Sequence, residues 1–457
     1  MKNNSYLLVK IMVAGVALTA LTFLAFIFPL RPTESLTEKR KLAEFPKFSF
    51  SSLFSGEYFS GVSAWFSDTV PYRDDLTALN AKLQHLLGTN AAVAGFNEGA
   101  KGDDIPDVPP ETEPPASLPA DASETSDALT EAPLASETVS ETEIETEPES
   151  SEDEEVTGAV QKFSAILVYG DAGYEYYNFV QDASERYSAA VNRAGEVLAG
   201  KAKVYDMIIP TSIDVTLNKT VRASLSVSDQ KKAINYMESL LSDKITKVSI
   251  FDTMVEHKNE YIYYRTDHHW TGLGAYYAYV KFCEAKGVQP VKLEDCVYKA
   301  YDGFLGTFYT DSGSDPALGN NPDVVETYMP PVNATMTFTD MSGKTYSGMS
   351  VLYDATTNNA HFKYSAFIWG DNPYSVIENL DMAEGESLLL IKESFGNAIA
   401  PLFTYNYKYI YVMDYRYYEG TAAALVDRYG INDVLFCNNI SMTRAMSQTN
   451  SLYNRVG

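Results

Sequence analysis

Apolar positions along the chain fall into three regimes. Residues 11–30, IMVAGVALTALTFLAFIFPL, carry no formal charge and follow Lys2 and Lys10. As a helix this run is about 30 Å long, enough to cross a bilayer. Its length and the lack of a small-x-small cleavage site favour an uncleaved anchor over 1–31 rather than a cleaved signal peptide. Next, Phe59, Val62, Trp65 and Phe66 recur at helical spacing, as do Leu76, Leu79, Leu83 and Leu86, with Pro71 between the two sets. Residues 32–99 therefore read as a helical segment packing on a main domain.

From 160 to 457 the period changes repeatedly. Short β-rich runs occupy 164–170, 203–210, 247–252, 364–370, 387–393, 408–414 and 432–437. Helical patterns lie between them at 183–199, 228–242, 274–286 and 419–429. Near-continuous apolar strands alternating with helices predict an α/β domain with a mostly parallel central sheet covered on both faces. The stretch 300–360, rich in Asp, Gly, Ser, Thr and Asn, predicts an excursion or an antiparallel patch.

Charge divides the chain further. The formal net charge is −26, and nineteen acidic residues with no Lys or Arg lie between Asp103 and Glu155, which leaves about −7 for the rest. Residues 100–159 contain too few large apolar side chains to offset the entropy of ordering, so they predict a disordered acidic insert. A net-acidic chain without a basic stripe excludes nucleic-acid binding as the leading function. Cys283, Cys296 and Cys437 allow at most one disulfide and no zinc-binding pair.

Candidate chemistry concentrates in two places. TDHHW (266–270) holds two of the five histidines, and KESFGNA (392–398) carries Ser394 where an apolar strand runs into a turn. Sites in α/β sheets form at the carboxyl ends of strands. A metal reading of Asp267, His268 and His269 lacks further ligand motifs, since His85, His257 and His361 stand alone. An Asp-His-His-Cys acyltransferase signature fails because Trp270 cannot act as a thiolate. If 265–269 is extended, Asp267 and His269 point to one face and His268 to the other. A serine hydroxyl needs a histidine to remove its proton and an acid to orient that histidine, so Ser394, His269 and Asp267 form a candidate triad. Backbone N–H groups at the Ser394 turn offer oxyanion donors. The structural alternatives stay open: Ser394 as an N-cap with Asn397 behind it, and Thr271 as the cap of the helix from Gly272.

TDHHWTGLGAYY resembles the signature of the DHHW protein family, which is similar to the alginate O-acetyltransferases and their SGNH-hydrolase-like domain. LTEKRKLAEFP, WFSDTVPYRDDL, LVYGDAGYEYY, FLGTFYTDSG, KESFGNAIAPLF and VMDYRYY extend the likeness in order over roughly 35–95 and 160–440. The resemblance implies an SGNH-hydrolase-like three-layer fold and acyl transfer through Ser394, with His269 as base and Asp267 as its acid. It implies a membrane-bound O-acyltransferase as acyl donor, a surface polysaccharide as acceptor and an extracytoplasmic domain; with the metal ligands missing, neither metal nor cofactor is expected. Asn372, with Gly370 nearby in WGDNP, is the candidate oxyanion donor, although an Asp-Asn-Pro turn explains it equally well. Arg416 in VMDYRYY is a further substrate-binding candidate. An acetylesterase using the same triad and a non-catalytic polysaccharide-binding protein remain as rivals.

Overall fold

The computed structural model describes residues 102–108, 160–163 and 165–457, with isolated positions 31, 34–35, 40–41, 45–47, 58, 62, 65–66 and 69 before them. The apolar run 11–30, the helix expected over 76–86, and the insert from 109 to 159 lie outside the described residues. Among the described residues no helix is long and apolar enough to cross a membrane. Tyr58, Val62, Trp65 and Phe66 are helical, and the Arg31 guanidinium sits 4.2 Å over the Trp65 ring.

The main domain opens with a three-stranded antiparallel sheet, β1 (Val160–Lys162), β2 (Ile166–Tyr169) and β3 (Ala172–Glu175). The run at 164–170 thus belongs to a small satellite sheet and not to the central one. Helix α1 (Gln181–Val197) leads into β4 (Lys203–Ile209), then α2 (Gln230–Ser239) and the short β5 (Ile245–Lys247). After the TDHHW loop comes α3 (Gly272–Lys286), followed by the antiparallel pair β6 (Val297–Phe304) and β7 (Asp323–Met329). Strands β8 (Ala334–Thr339), β9 (Thr345–Met349), β10 (Tyr374–Asn379), β11 (Ser387–Lys392) and β12 (Tyr409–Asp414) follow. Helix α4 (Ala422–Tyr429), β13 (Asp433–Asn439) and α5 (Met446–Asn454) complete the chain.

The central sheet has eight strands in the order β9-β8-β10-β12-β11-β13-β4-β5. From β12 to β5 every pairing is parallel, whereas β9, β8 and β10 join antiparallel. The expectation of a mostly parallel sheet is therefore corrected to a mixed one. The antiparallel patch expected within 300–360 is real, and part of it extends this sheet. Two runs were misassigned. Residues 364–370 fall at the end of a 3-10 helix, Ala360–Ala366, and of the run 247–252 only Lys247 lies in a strand, while Phe251 and Asp252 open the helix Phe251–Glu256. Residues 364–370 are apolar because most of them are buried, and a short buried run has no period that separates strand from helix.

Side-chain alternation builds a core on each face. Met207, Leu388, Leu390, Ile410, Val412 and Leu435 point into one, against α3 and residues 396–403. Their neighbours Ile208, Leu389, Ile391, Tyr411, Met413 and Val434 point into the other, against α1, α2, α4 and α5. Because both faces are covered, β11 is buried at every position, which explains its unbroken SLLLI pattern. The acidic insert also needs its boundary moved. Gly102–Val108 is docked on the domain: Asp103 N donates to Phe179 O at 2.8 Å, and Ile105 and Val108 pack on the second core. Asp103 Oδ2 accepts from Gln181 N at 2.9 Å, capping α1, whose own N-cap residue Val180 has no side-chain acceptor.

Helix α3 begins pressed against the loop before it. A Cβ on Gly274 would lie 2.4 Å from the Ile262 carbonyl oxygen. Gly274→Ala should therefore force a backbone shift and cost about 1–3 kcal/mol. A lowered midpoint in thermal unfolding would show it, and an unchanged midpoint would contradict the close approach.

Candidate active site

The TDHHW loop is held by three sets of bonds. Tyr263 and Trp270 form an isolated antiparallel bridge, which folds the segment between them back on itself. Thr271 caps α3, its Oγ1 accepting from Gly274 N at 3.2 Å. The fully buried Asp323 carboxylate accepts from Thr266 N and Oγ1 at 2.7 and 2.6 Å, from Arg265 N at 3.1 Å and from the Tyr261 hydroxyl at 2.6 Å. The folded loop then docks on the turn after β11, where Trp270 Nε1 donates to Phe395 O at 2.9 Å.

This docking brings residues 125 positions apart into one line. His269 Nε2 lies 2.7 Å from Ser394 Oγ, and its Nδ1 lies 2.5 Å from Asp267 Oδ1. Asp267 Oδ1 also accepts from His269 N at 3.0 Å, and Oδ2 accepts from Thr307 N at 2.9 Å. Gly306 makes the last bond possible, because a Cβ there would collide with the Asp267 side chain at 2.2 Å. On its other side the His269 ring stacks on Tyr364, 4.0 Å away and 14° from parallel. The Tyr364 hydroxyl donates to Ser394 O at 3.1 Å, so one residue fixes both the imidazole plane and the serine backbone.

Burial and neighbours set the protonation states. Burial alone would raise the Asp267 carboxyl, but His269, His268 and the Thr307 amide hold it well below the usual carboxylate range. For His269, burial and then His268 push the imidazole down to about 4, against the pull of Asp267. At neutral pH the imidazole is thus uncharged. With Nδ1–H given to Asp267, its Nε2 lone pair faces the serine hydroxyl, the arrangement required of a base.

Ser394 does not cap the short helix Gly396–Ile399, whose N-cap is Phe395. Its hydroxyl meets His269 and, at 3.2 Å, Glu393 Oε2. Glu393 is a participant that the sequence pattern did not single out. Its carboxyl is buried and accordingly raised, while Arg416 and the N–H groups of Asn439 and Phe395 pull it down. Of the backbone N–H groups at the Ser394 turn, which were expected to offer oxyanion donors, that of Phe395 is spent on Glu393 at 3.1 Å. Thr307, Asp323, Tyr364 and Asp371 were also missed, since each acts across a long sequence separation. FLGTFYTDSG contains the Gly306-Thr307 step, which was the available signal for one of them.

The cleft beside Ser394 has a volume of about 310 Å³ and is lined by residues from the carboxyl ends of β11, β12 and β13, among them Glu393, Ser394, Arg416 and Asn439. His268 lines it too, which corrects the expectation that it faces away: its ring centroid is 3.9 Å from that of His269. His268 Nδ1 meets Thr307 Oγ1 at 2.7 Å. Arg416 is also in the cleft, gripped by Asp414 at 2.9 and 2.7 Å and by Asp371 at 3.0 Å. Asn372 and Gly370 do not line it. The Asn372 amide donates to Ile368 O at 3.3 Å and Gly370 has φ of 81°, so these two residues close a turn.

Asp267, His268 and His269 place potential ligand atoms within 4.8 Å of one another. Both His269 nitrogens are engaged by Asp267 and Ser394, so the cluster offers a metal few free donors. Elsewhere, His257 pairs with Glu260 at 2.6 Å and His361 with Leu305 O at 2.7 Å, while His85 lies outside the described residues. All three cysteines are free thiols.

A family model described as "DHHW protein" matches residues 38–413. A DHHW family protein from Eubacterium siraeum is 27% identical, with a TM-score of 0.59 over 65% of this chain and 98% of that one. PatB1 from Bacillus cereus, solved with a sulfonyl adduct, is 18% identical with a TM-score of 0.50, covering 66% of this chain and 99% of its own. No curated protein sequence matches.

Replacing His268 by Gln removes the neighbouring imidazole that pushes His269 down and keeps a hydrogen-bonding group toward Thr307. The His269 imidazole should then titrate at higher pH than about 4, as followed by NMR of the ring protons. An unchanged or lower value would contradict the assigned role of His268.

Proposed function

The chain belongs to the DHHW protein family, and from that premise we propose that it is an O-acyltransferase acting through an acyl-serine. The observation that carries this reading is the aligned contact of a neutral His269 with the Ser394 hydroxyl, backed by an ionised Asp267. In the first half-reaction His269 takes the hydroxyl proton as Ser394 Oγ attacks the acyl carbonyl. The donor's oxygen then leaves with that proton, and an ester on Ser394 remains. In the second, His269 takes a proton from an acceptor hydroxyl, whose oxygen attacks the ester, and returns the proton to Ser394. Asp267 holds the imidazole in the required tautomer and offsets the charge it gains.

The resemblance of the motifs to the alginate O-acetyltransferases supports acetyl as the group moved and a surface polysaccharide hydroxyl as acceptor, within an SGNH-hydrolase-like fold. It also supports a membrane-bound O-acyltransferase as the donor partner. The apolar run 11–30 supports tethering at the membrane with the domain outside the cytoplasm. Arg416 is proposed as the cationic contact for substrate in the cleft. An acetylesterase differs only in giving the acyl group to water.

Kinetics with p-nitrophenyl acetate test the reading on the full chain. Ser394→Ala and His269→Ala should lose the enzyme-dependent rate, and Asp267→Asn should lower kcat by about 10³–10⁴-fold, the cost of a misoriented imidazole. Equal rates in wild type and all three variants would remove the proposed triad.

A further inference from the structure

A second cavity, of about 410 Å³, takes lining residues from either side of Tyr364 in the chain, the residue that stacks on His269. Tyr353, Asn358, Asn359, Phe362, Ser365 and Trp369 line it. None of the six carries a charge. Its walls are fixed before any ligand arrives: Asn358 Oδ1 accepts from the Tyr353 hydroxyl at 3.1 Å, and Asn358 Nδ2 donates to Ser365 Oγ at 3.1 Å and Phe362 O at 3.3 Å. Trp369 Nε1 donates to Ser350 O at 2.9 Å, and its ring centroid lies 4.5 Å from that of Tyr353.

The backbone that presents Trp369 is strained. Ile368 and Trp369 have φ of 43° and 63°, in the left-handed region where a Cβ is crowded, and a β-branched residue is rarely found there. The surrounding packing imposes this conformation. Ile368 is buried in the core, which leaves the indole of the next residue partly exposed at the cavity. Strain of this kind concentrates at ligand sites, where a side chain must be held in one place.

The cavity is also tied to the catalytic cleft. Trp369 is two residues from Asp371, a chain distance of at most about 7 Å. Asp371 holds Arg416, which lines the cleft with Ser394. Tyr364, between two of the lining residues, stacks on His269.

We propose that this cavity is a glycan subsite that seats an uncharged pyranose ring of the acceptor a few sugar units from Ser394. The proposal rests on the polysaccharide acceptor of the function proposed above. The apolar C–H face of a pyranose matches the aromatic faces, and its hydroxyl rim matches the amide and hydroxyl groups. With no cation among the lining residues, a uronate or phosphate-bearing sugar would lose its hydration there without gaining an ionic partner. Pre-fixed aromatic and amide groups lower the ordering cost of binding.

Isothermal titration calorimetry of the full chain, in a detergent without a sugar headgroup, tests this with cellopentaose, chitopentaose and penta-galacturonate. At least one neutral oligosaccharide should bind saturably, and Trp369→Ala should weaken it about tenfold or more, as expected on removing an aromatic anchor. A cooperative thermal melt shows that the variant is folded. If it is not, Asn359→Asp, a change at an exposed position, takes its place and should weaken binding in the same direction. The subsite is overturned if wild type binds neither neutral oligosaccharide, if the folded variant binds as tightly, or if penta-galacturonate binds best. Trp369-dependent glycan binding by a wild type that shows no Ser394-dependent ester hydrolysis would keep the subsite and remove the acyl-transfer reading.

Discussion

A carboxylate taken out of water must have its charge compensated on the spot, and the arrangement around Asp267 follows from that constraint. The residue is 4% exposed, so leaving any lone pair unmatched would be costly. Its partners come from two segments: His269 from its own loop and Thr307 from the Gly306 turn. Gly306 has no side chain because the carboxylate needs the space. The carboxylate therefore selects the imidazole tautomer, locates the Thr307 turn, and fixes the direction in which His269 Nε2 points.

A second buried ionic group supports the other side of the serine. Lys392, the last residue of β11, has no exposure and donates to Asp414 at 2.9 Å and Asp371 at 3.3 Å. Arg416 bridges the same two carboxylates, and Asn397 Nδ2 donates to Asp371 at 2.8 Å. Paired this closely, these charges tie the ends of β11 and β12 and the 371 turn into one unit, with Ser394 and Arg416 at its solvent edge. Buried ion pairs contribute little net stability, and their main effect here is on position. Glu393, beside the serine, accepts from the Phe395 amide at 3.1 Å and from the Asn439 amide at 2.9 Å.

Much of the domain was legible in the sequence because its elements are long and periodic. The apolar strands β4, β11, β12 and β13 and helices α1, α2, α3 and α4 fall within a few residues of their expected positions. Segments that failed are short. Residues 364–370 look like a strand by composition, yet they turn through three consecutive residues with positive φ, Ile368, Trp369 and Gly370, to deliver Asp371. In the site, Asp267, His269 and Ser394 could be nominated because a strand end and an Asp-x-His step are local patterns. Asn372 was nominated from the family resemblance, and the carboxylate beside it, Asp371, is the one that holds Arg416.

The amino-acid sequence by itself determined which stretches would be buried on both faces and which residue types could exchange protons. These properties depend on composition and on periods of two or 3.6 residues, so a short window of chain contains them. Only the tertiary structure decided that His269 meets Ser394 and that His268 shares its cleft. It also decided that Glu393 takes the Phe395 amide, and that Arg416 is held by Asp371. Each of those outcomes joins groups brought together by docked loops or a tight turn, and their approach is set by packing and charge compensation, which no local period records.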